Sequence, residues 1–534
     1  CLQAQNGGNI NLSKIEEQNH IPIDTTLQKL QNYNLSSVIF KLAVPAFIAN
    51  IVTWVAQLLI SNMQNTDITV TNIVLTLKQD LLMCVPFGLS GGLTSIISPT
   101  LGVKNMHATQ KTFMHYILIW AFLMVATMLG TLTWMSRLVN TLGATKGSTT
   151  AQMATQYGYL IFGAGIFGYY VTQGFSNIQR AVNRSMFAAS SQIAISLIEV
   201  VLLWLSYRYF KQNTIQENAL STIVANLVVA IIILIPFVQF KKFFRHFSLK
   251  FSWRLVRAFS WRTVIYVLYS AVPNFILEFH LPITVAIINV MVRSISQSDA
   301  QRDWNTSVLN SVVSVFSLIE ICNISFEYAF SPTVGYSIGA RNWKRSRETM
   351  MLTLIWCTAV GVVLFVLVNV FAEDLSLYYM KGNQMMAHDM TFGIRIMTAV
   401  LPTLPCHVMM GDVYQMEGKT FKAIMVSVSQ TIGTAVFIPL IAYLTNSLMG
   451  IFYGFLAGTA VGSIVGVATW IHAYKVLGKV QRGEITVKQS QINENDPDHF
   501  TQEENGQKSR KQSTIAPLQT LILDSTKVNR KLHD

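Results

Sequence analysis

Twelve apolar runs recur along the chain, at 38–61, 68–97, 113–134, 154–176, 187–207, 219–240, 264–291, 305–330, 349–372, 391–412, 423–444 and 449–474. Each is long enough to cross a roughly 30 Å hydrocarbon core as a helix. Backbone polar groups must be satisfied internally in lipid, so runs of this length dictate helices. The remainder of the chain supports the same reading, since 51% of the 534 residues are hydrophobic and only 12% are charged. Such a balance is too poor in charge to wrap a soluble globule of this size. The sequence therefore predicts an all-α, multi-pass membrane protein.

The net charge of +13 would suit a nucleic-acid partner if it were gathered on one soluble face. Its distribution argues against that. Loops after the even-numbered spans carry 17 Lys and Arg, whereas loops after the odd-numbered spans carry 7. Basic loops stay on the cytosolic side, so both termini are expected there, in the plasma membrane. The segment 241–262, with Lys241, Lys242, Arg245, Lys250, Arg254, Arg257 and Arg262, is expected to be a cytosolic linker that touches anionic membrane lipids. Residues 1–35 and 479–534 are polar and aperiodic, and read as disordered tails. Five cysteines, four of them in or beside spans, do not form a disulfide framework.

Short matches recur in order at a nearly constant separation. "AVPAFI" from Ala43 returns as "AVPNFI" from Ala271, and "LIW" from Leu118 returns from Leu354, at separations of 228 and 236. "SPTLG" at Ser98 matches "SPTVG" at Ser331 letter for letter, at 233. A competing register pairs "LGVKN" with "IGARN" at 237, about one helical turn away. Either register makes the chain a duplication. Halves of six spans each enter the membrane in the same direction, so two six-helix lobes, 36–240 and 263–478, are expected to be related by a pseudo-two-fold axis along the membrane normal. Such lobes can rock about a central cleft.

The stretches "GLSGGLTSIISPTLGVKN" (from Gly88), "SPTVGYSIGARN" (from Ser331), "QRAVNRSMFAA" (from Gln179) and "EGKTFKA" (from Glu417) carry a family likeness. Their order and spacing within a twelve-span frame resemble the multidrug and toxic compound extrusion (MATE) transporters, over roughly residues 36 to 478. The resemblance implies export of small organic, often cationic, compounds against inward H⁺ or Na⁺ flow. It implies no cofactor and no nucleic-acid partner, and a monomer is expected.

An ionised side chain in hydrocarbon costs about 2.5–3.5 kcal/mol on insertion scales, so one kept in mid-span should face a cleft or a partner. Span 8 spaces Asn310, Ser314, Ser317, Glu320, Asn323, Glu327 and Ser331 by three or four residues, which places them along one helical stripe. Span 7 repeats the pattern with Ser270, Asn274 and Glu278, bracketed by Pro273 and Pro282, whose freed carbonyls would help to ligate a cation. Span 5 aligns Gln192, Ser196 and Glu199, and span 2 carries Lys78 and Asp80. His407 lies in span 10 and titrates near neutrality when unperturbed. Glu278, Glu320, Glu199, Asp80 and His407 are thus the candidates for ion coupling and substrate binding. Asn274, Asn310, Ser314, Ser317, Asn323, Gln192 and Ser196 are candidates to line the cleft.

Departures from the family pattern modify what the likeness implies. Glu278 follows its proline by five residues where the family's glutamate follows by about eight. Glu199 falls where the family often has asparagine, and the end of span 1 reads "LLISN" without the aspartate that many relatives carry there. An enzyme is not indicated: "GKT" at Gly418 lacks the earlier glycine of a phosphate loop, and no HExxH pair occurs. The competing reading is a lipid or lipid-linked oligosaccharide flippase of the wider superfamily. That cargo calls for several basic residues in the cleft, whereas the mid-span charges here are mostly acidic.

Overall fold

A computed structural model describes residues 34–63, 68–144, 146–210, 215–237, 249, 251 and 259–484. The expected polar tails and most of the 241–262 linker lie outside these residues. All twelve apolar runs are helical over most of their described residues, with short breaks at 325–326, 371 and 401–403. They form α1 (Leu35–Met63), α2 (Ile68–Leu75, Thr76–Leu81 and Leu82–Gly102), α3 (Met106–Thr141), α4 (Thr149–Leu160, Ile161–Gly165 and Ile166–Ala181), α5 (Ser185–Phe210) and α6 (Ile215–Leu234). The second half supplies α7 (Trp261–Ile295), α8 (Asp299–Ile324 and Glu327–Gly339), α9 (Trp343–Val370), α10 (Gln384–Met397 and Leu404–Met416), α11 (Thr420–Thr445) and α12 (Leu448–Gln481). A short helix, Ala372–Tyr379, precedes α10.

Among the described residues nine helices are long and apolar enough to cross a membrane, and α10 makes a tenth if its two pieces, bent by 44°, are one span. The two expected spans that fall short are α4 and α8. Both carry the polar side chains that turn toward the interior, and this lowers their hydropathy. The outward faces follow the opposite rule: Phe122, Leu129 and Trp134 of α3, Ile231 of α6 and Leu444 of α11 are exposed. Large apolar side chains displayed in this number suit a lipid solvent.

Two pairs of turns share the same backbone geometry. After α2, Lys104 takes a left-handed φ of 64° and Asn105 caps α3 through Ala108 N; after α8, Arg341 takes 56° and Asn342 caps α9 through Arg345 N. The same bonds close both turns, from Asn105 N to Thr100 O and from Asn342 N to Ser337 O. The equivalent positions are 237 apart, so the "LGVKN"/"IGARN" register holds here, and the literal SPT match is offset by one turn. A second pair closes with Arg184 N to Gln179 O and Lys419 N to Tyr414 O.

These repeated ends also meet. Helix α8 crosses α2 at glycines so closely that a Cβ on Gly339 would lie 2.0 Å from Pro99 O, and one on Gly102 would lie 2.3 Å from Tyr336 O. No side chain larger than hydrogen fits such a backbone approach. Toward the other end of the bundle, Arg293 of α7 donates to Asn140 O at the end of α3, and a Cβ on Gly143 would lie 2.7 Å from Thr306 of α8. The two halves of the chain thus touch at both ends of the bundle, above and below its centre.

Candidate functional site

Between those contacts lies a cavity of about 240 Å³ walled by both halves of the chain. From the second half, α7 contributes Asn274, Glu278 and His280, α8 contributes Ser317, Glu320, Glu327 and Ser331, and α10 contributes Asp412. From the first half come Lys78, Asn177, Arg180, Gln192, Ser196 and Glu199.

Local structure explains how each acid arrives there. Helix α7 stays continuous through both prolines. Pro282 has no N–H to bond the carbonyl four residues back, and that carbonyl belongs to Glu278. The Cys84 thiol donates to it instead, at 3.1 Å, from α2. A correction applies to α8, expected as one stripe-bearing rod. It breaks at Ser325 and Phe326, and the Ser325 hydroxyl accepts from Asn50 Nδ2 of α1 at 2.7 Å. Above the break Ser317 and Glu320 face the cavity; below it Glu327 and Ser331 do. Glu327 lies within electrostatic reach of Asp412, Glu278 and Glu320, and Ser331 hydrogen-bonds Asp412.

The other sequence candidates separate into three groups. Asn274 lines the cavity and exchanges amide bonds with Gln415, the shorter at 2.9 Å; Gln192 and Ser196 also line it, Ser196 paired with Thr53 at 3.0 Å. Asn310, Ser314 and His407 are buried but do not line it. The His407 backbone packs closely on α12, where the Gly466 Cβ position is 2.6 Å from it. The histidine that does face the cavity is His280, bonded to Gln430 at 3.1 Å. The side chains of Asp80 and Asn323 lie outside the described residues.

Glu199 has a basic partner. Lys78, brought inward by the π-helical turn Thr76–Leu81, forms a buried ion pair with it, and Thr222 donates to the same carboxylate oxygen at 2.6 Å. Removing one member of a buried pair strands the other charge, at about 3–5 kcal/mol, whereas replacing both by apolar groups is far milder. Lys78→Met is therefore expected to lower the thermal unfolding midpoint in detergent sharply, and Lys78→Met with Glu199→Met to recover most of the loss. Equal midpoints for the single and double variants would contradict a structural pair.

Residues 286–440 match the family model MatE. This part of the chain, from α7 to α11, resembles the MatE family. Solved structures agree on the fold at low sequence identity. An outward-facing multidrug resistance MATE family transporter of the MOP superfamily is 17% identical, with a TM-score of 0.69 over 84% of this chain and 98% of that one. MATE in complex with MaL6 is 16% identical, with a TM-score of 0.71 over 84% and 99%. A MOP superfamily transporter from Pyrococcus furiosus, described as having a binding pocket of reverse polarity, is 17% identical with a TM-score of 0.71 over 84% and 98%. No curated protein matches the chain.

Three charged residues of the cavity escaped selection from sequence. Asp412 sits among apolar residues with no polar stripe around it. Lys78 pairs with a residue 121 positions away, a distance no helical pattern reports. Arg180 looked like a cytosolic loop cation, yet α4 runs on to Ala181 and carries it, 3% exposed, into the cavity wall.

Proposed function

We propose that this protein is a transporter of the MATE type, a secondary active antiporter that exports organic cations in exchange for H⁺ or Na⁺ by alternating access. The observation that carries the proposal is the charge of the central cavity: its lining includes Glu199, Glu278, Glu320, Glu327 and Asp412, against only Lys78 and Arg180. Two like unit charges about 6 Å apart repel by ~3 kcal/mol at an effective dielectric of about 20. The acids clustered on α7, α8 and α10 therefore favour an incoming positive charge, and a proton, a sodium ion and an organic cation compete for it. Competition for one set of carboxylates links the two fluxes without a phosphorylated intermediate.

The contacts at the two ends supply the gates. Separating α2 from α8 at Gly102 and Gly339 opens the basic end, which we assign to the cytosol of a plasma-membrane monomer with both termini inside. Separating α7 from α3 at Arg293 and Asn140 opens the other end. Lobes 36–240 and 263–478 would rock about the cavity between these positions. The flippase alternative is weaker, because Lys78 is committed to Glu199 and a pyrophosphate would then meet one basic side chain, Arg180.

Reconstituted vesicles test the proposal. A fluorescent organic cation is expected to move only when a pH or Na⁺ gradient is imposed, and in the direction opposite to the ion. Movement indifferent to both gradients would refute it.

A further inference from the structure

Arg180 stands in the cavity wall with neutral company. Its Nη1 donates to Asn177 Oδ1 at 2.7 Å, its Nη2 donates to Gln192 Oε1 at 2.8 Å, and its guanidinium carbon lies 3.8 Å from the centre of the Tyr328 ring. The Nε–H is buried and has no hydrogen-bond partner among the described residues. A guanidinium cannot shed its proton to escape burial. Leaving its charge without an anion is therefore costly. Lys78, the other cation of the lining, has Glu199.

The cavity is thus divided. One wall, from α4 and α5 with the Tyr328 ring of α8 against it, presents a guanidinium held in place by two amides and that ring, with a donor to spare. The other wall, from α7, α10 and the rest of α8, presents carboxylates. A simple cation satisfies the second wall and is repelled by the first. A molecule with a carboxylate at one end and an ammonium at the other satisfies both, and a carboxylate suits the planar fork of arginine because two parallel N–H donors can meet its two oxygens. We infer that Arg180 is a substrate-carboxylate site and that the preferred cargo is zwitterionic, an organic ammonium that also bears a carboxylate. This rests on the efflux reading above and narrows its substrate class.

The test uses two probes that differ in one group, benzyltrimethylammonium and its para-carboxylate, loaded together into vesicles containing the full-length protein under the ion gradient that drives transport. The ratio of their rates is the readout, so a fall in the amount of folded protein cancels. Wild type is expected to favour the para-carboxylate. Arg180→Gln should shift the ratio at least about tenfold toward the plain cation, the size expected for losing hydrogen bonds to a charged group; Arg180→Lys should shift it less. A ratio unchanged within about twofold in Arg180→Gln would overturn the inference and make Arg180 a packing or gating residue. A wild-type protein that carries only the plain cation would overturn it while leaving the efflux reading intact. Transport of neither probe, with a fluorescent cation still exported, would also overturn it. Failure to export any cation would remove the efflux reading itself, and this inference with it.

Discussion

Glu320→Gln and Glu278→Gln are each expected to lower gradient-driven efflux at least tenfold, about 1.4 kcal/mol of lost driving interaction, while the protein still reaches the membrane and unfolds at a similar temperature. Glutamine keeps the shape of glutamate and can still hydrogen-bond, through one acceptor oxygen and an amide donor, but it can neither bind a proton at neutral pH nor attract a cation through a net charge. Both carboxylates line the central cavity, and neither belongs to the buried ion pair that joins Lys78 to Glu199. Loss of transport without loss of fold is the signature of a residue kept for its charge. Wild-type efflux rates in both variants would refute their assignment to coupling.

A second large effect is expected at the crossing of α2 and α8. Gly339→Ala places a methyl group 2.0 Å from Pro99 O, a backbone atom that cannot swing aside. Overpacking of this kind costs about 1–3 kcal/mol, and here it acts on the contact that closes one end of the cavity. The variant should unfold at a lower temperature and admit a thiol reagent from the basic end to a cysteine placed at Ser98. Gly130→Ala is the control. A Cβ there meets nothing within 4 Å on the outer part of α3, and alanine favours helix over glycine by up to about 1 kcal/mol. If Gly339→Ala and Gly130→Ala behave alike, the close crossing has no role in stability or closure.

How far the sequence could be read depended on the range of the interaction that decided each feature. Helices were legible because the solvent imposes them locally, and every apolar run is helical over most of its described residues. The polar stripe of α8 was legible as a pattern but not as a surface. Ser317 and Glu320 line the cavity while Asn310 and Ser314, on the same stripe and the same piece of helix, are buried outside it, and Glu327 and Ser331 reach it from beyond the break at Ser325 and Phe326. The repeat was visible at several separations, and only the left-handed residues Lys104 and Arg341 select 237 near the first loop of each half. Lys78 with Glu199 and Arg180 with Gln192 and Tyr328 were hidden because tertiary packing decides which distant helices meet. Helical spacing on one strand of sequence carries no record of that. His407 and His280 show the same limit: both are intramembrane histidines, and only His280 lines the cavity.

The account rests on ions and organic cations competing for the same acids, and ion release on binding tests this most directly. Purified protein in weakly buffered detergent, titrated with an organic cation at constant ionic strength, is expected to release about one proton or one sodium ion per cation bound, with the release lost in Glu320→Gln. Saturable binding that releases no ion, and whose affinity is unchanged by pH and by Na⁺, would contradict it.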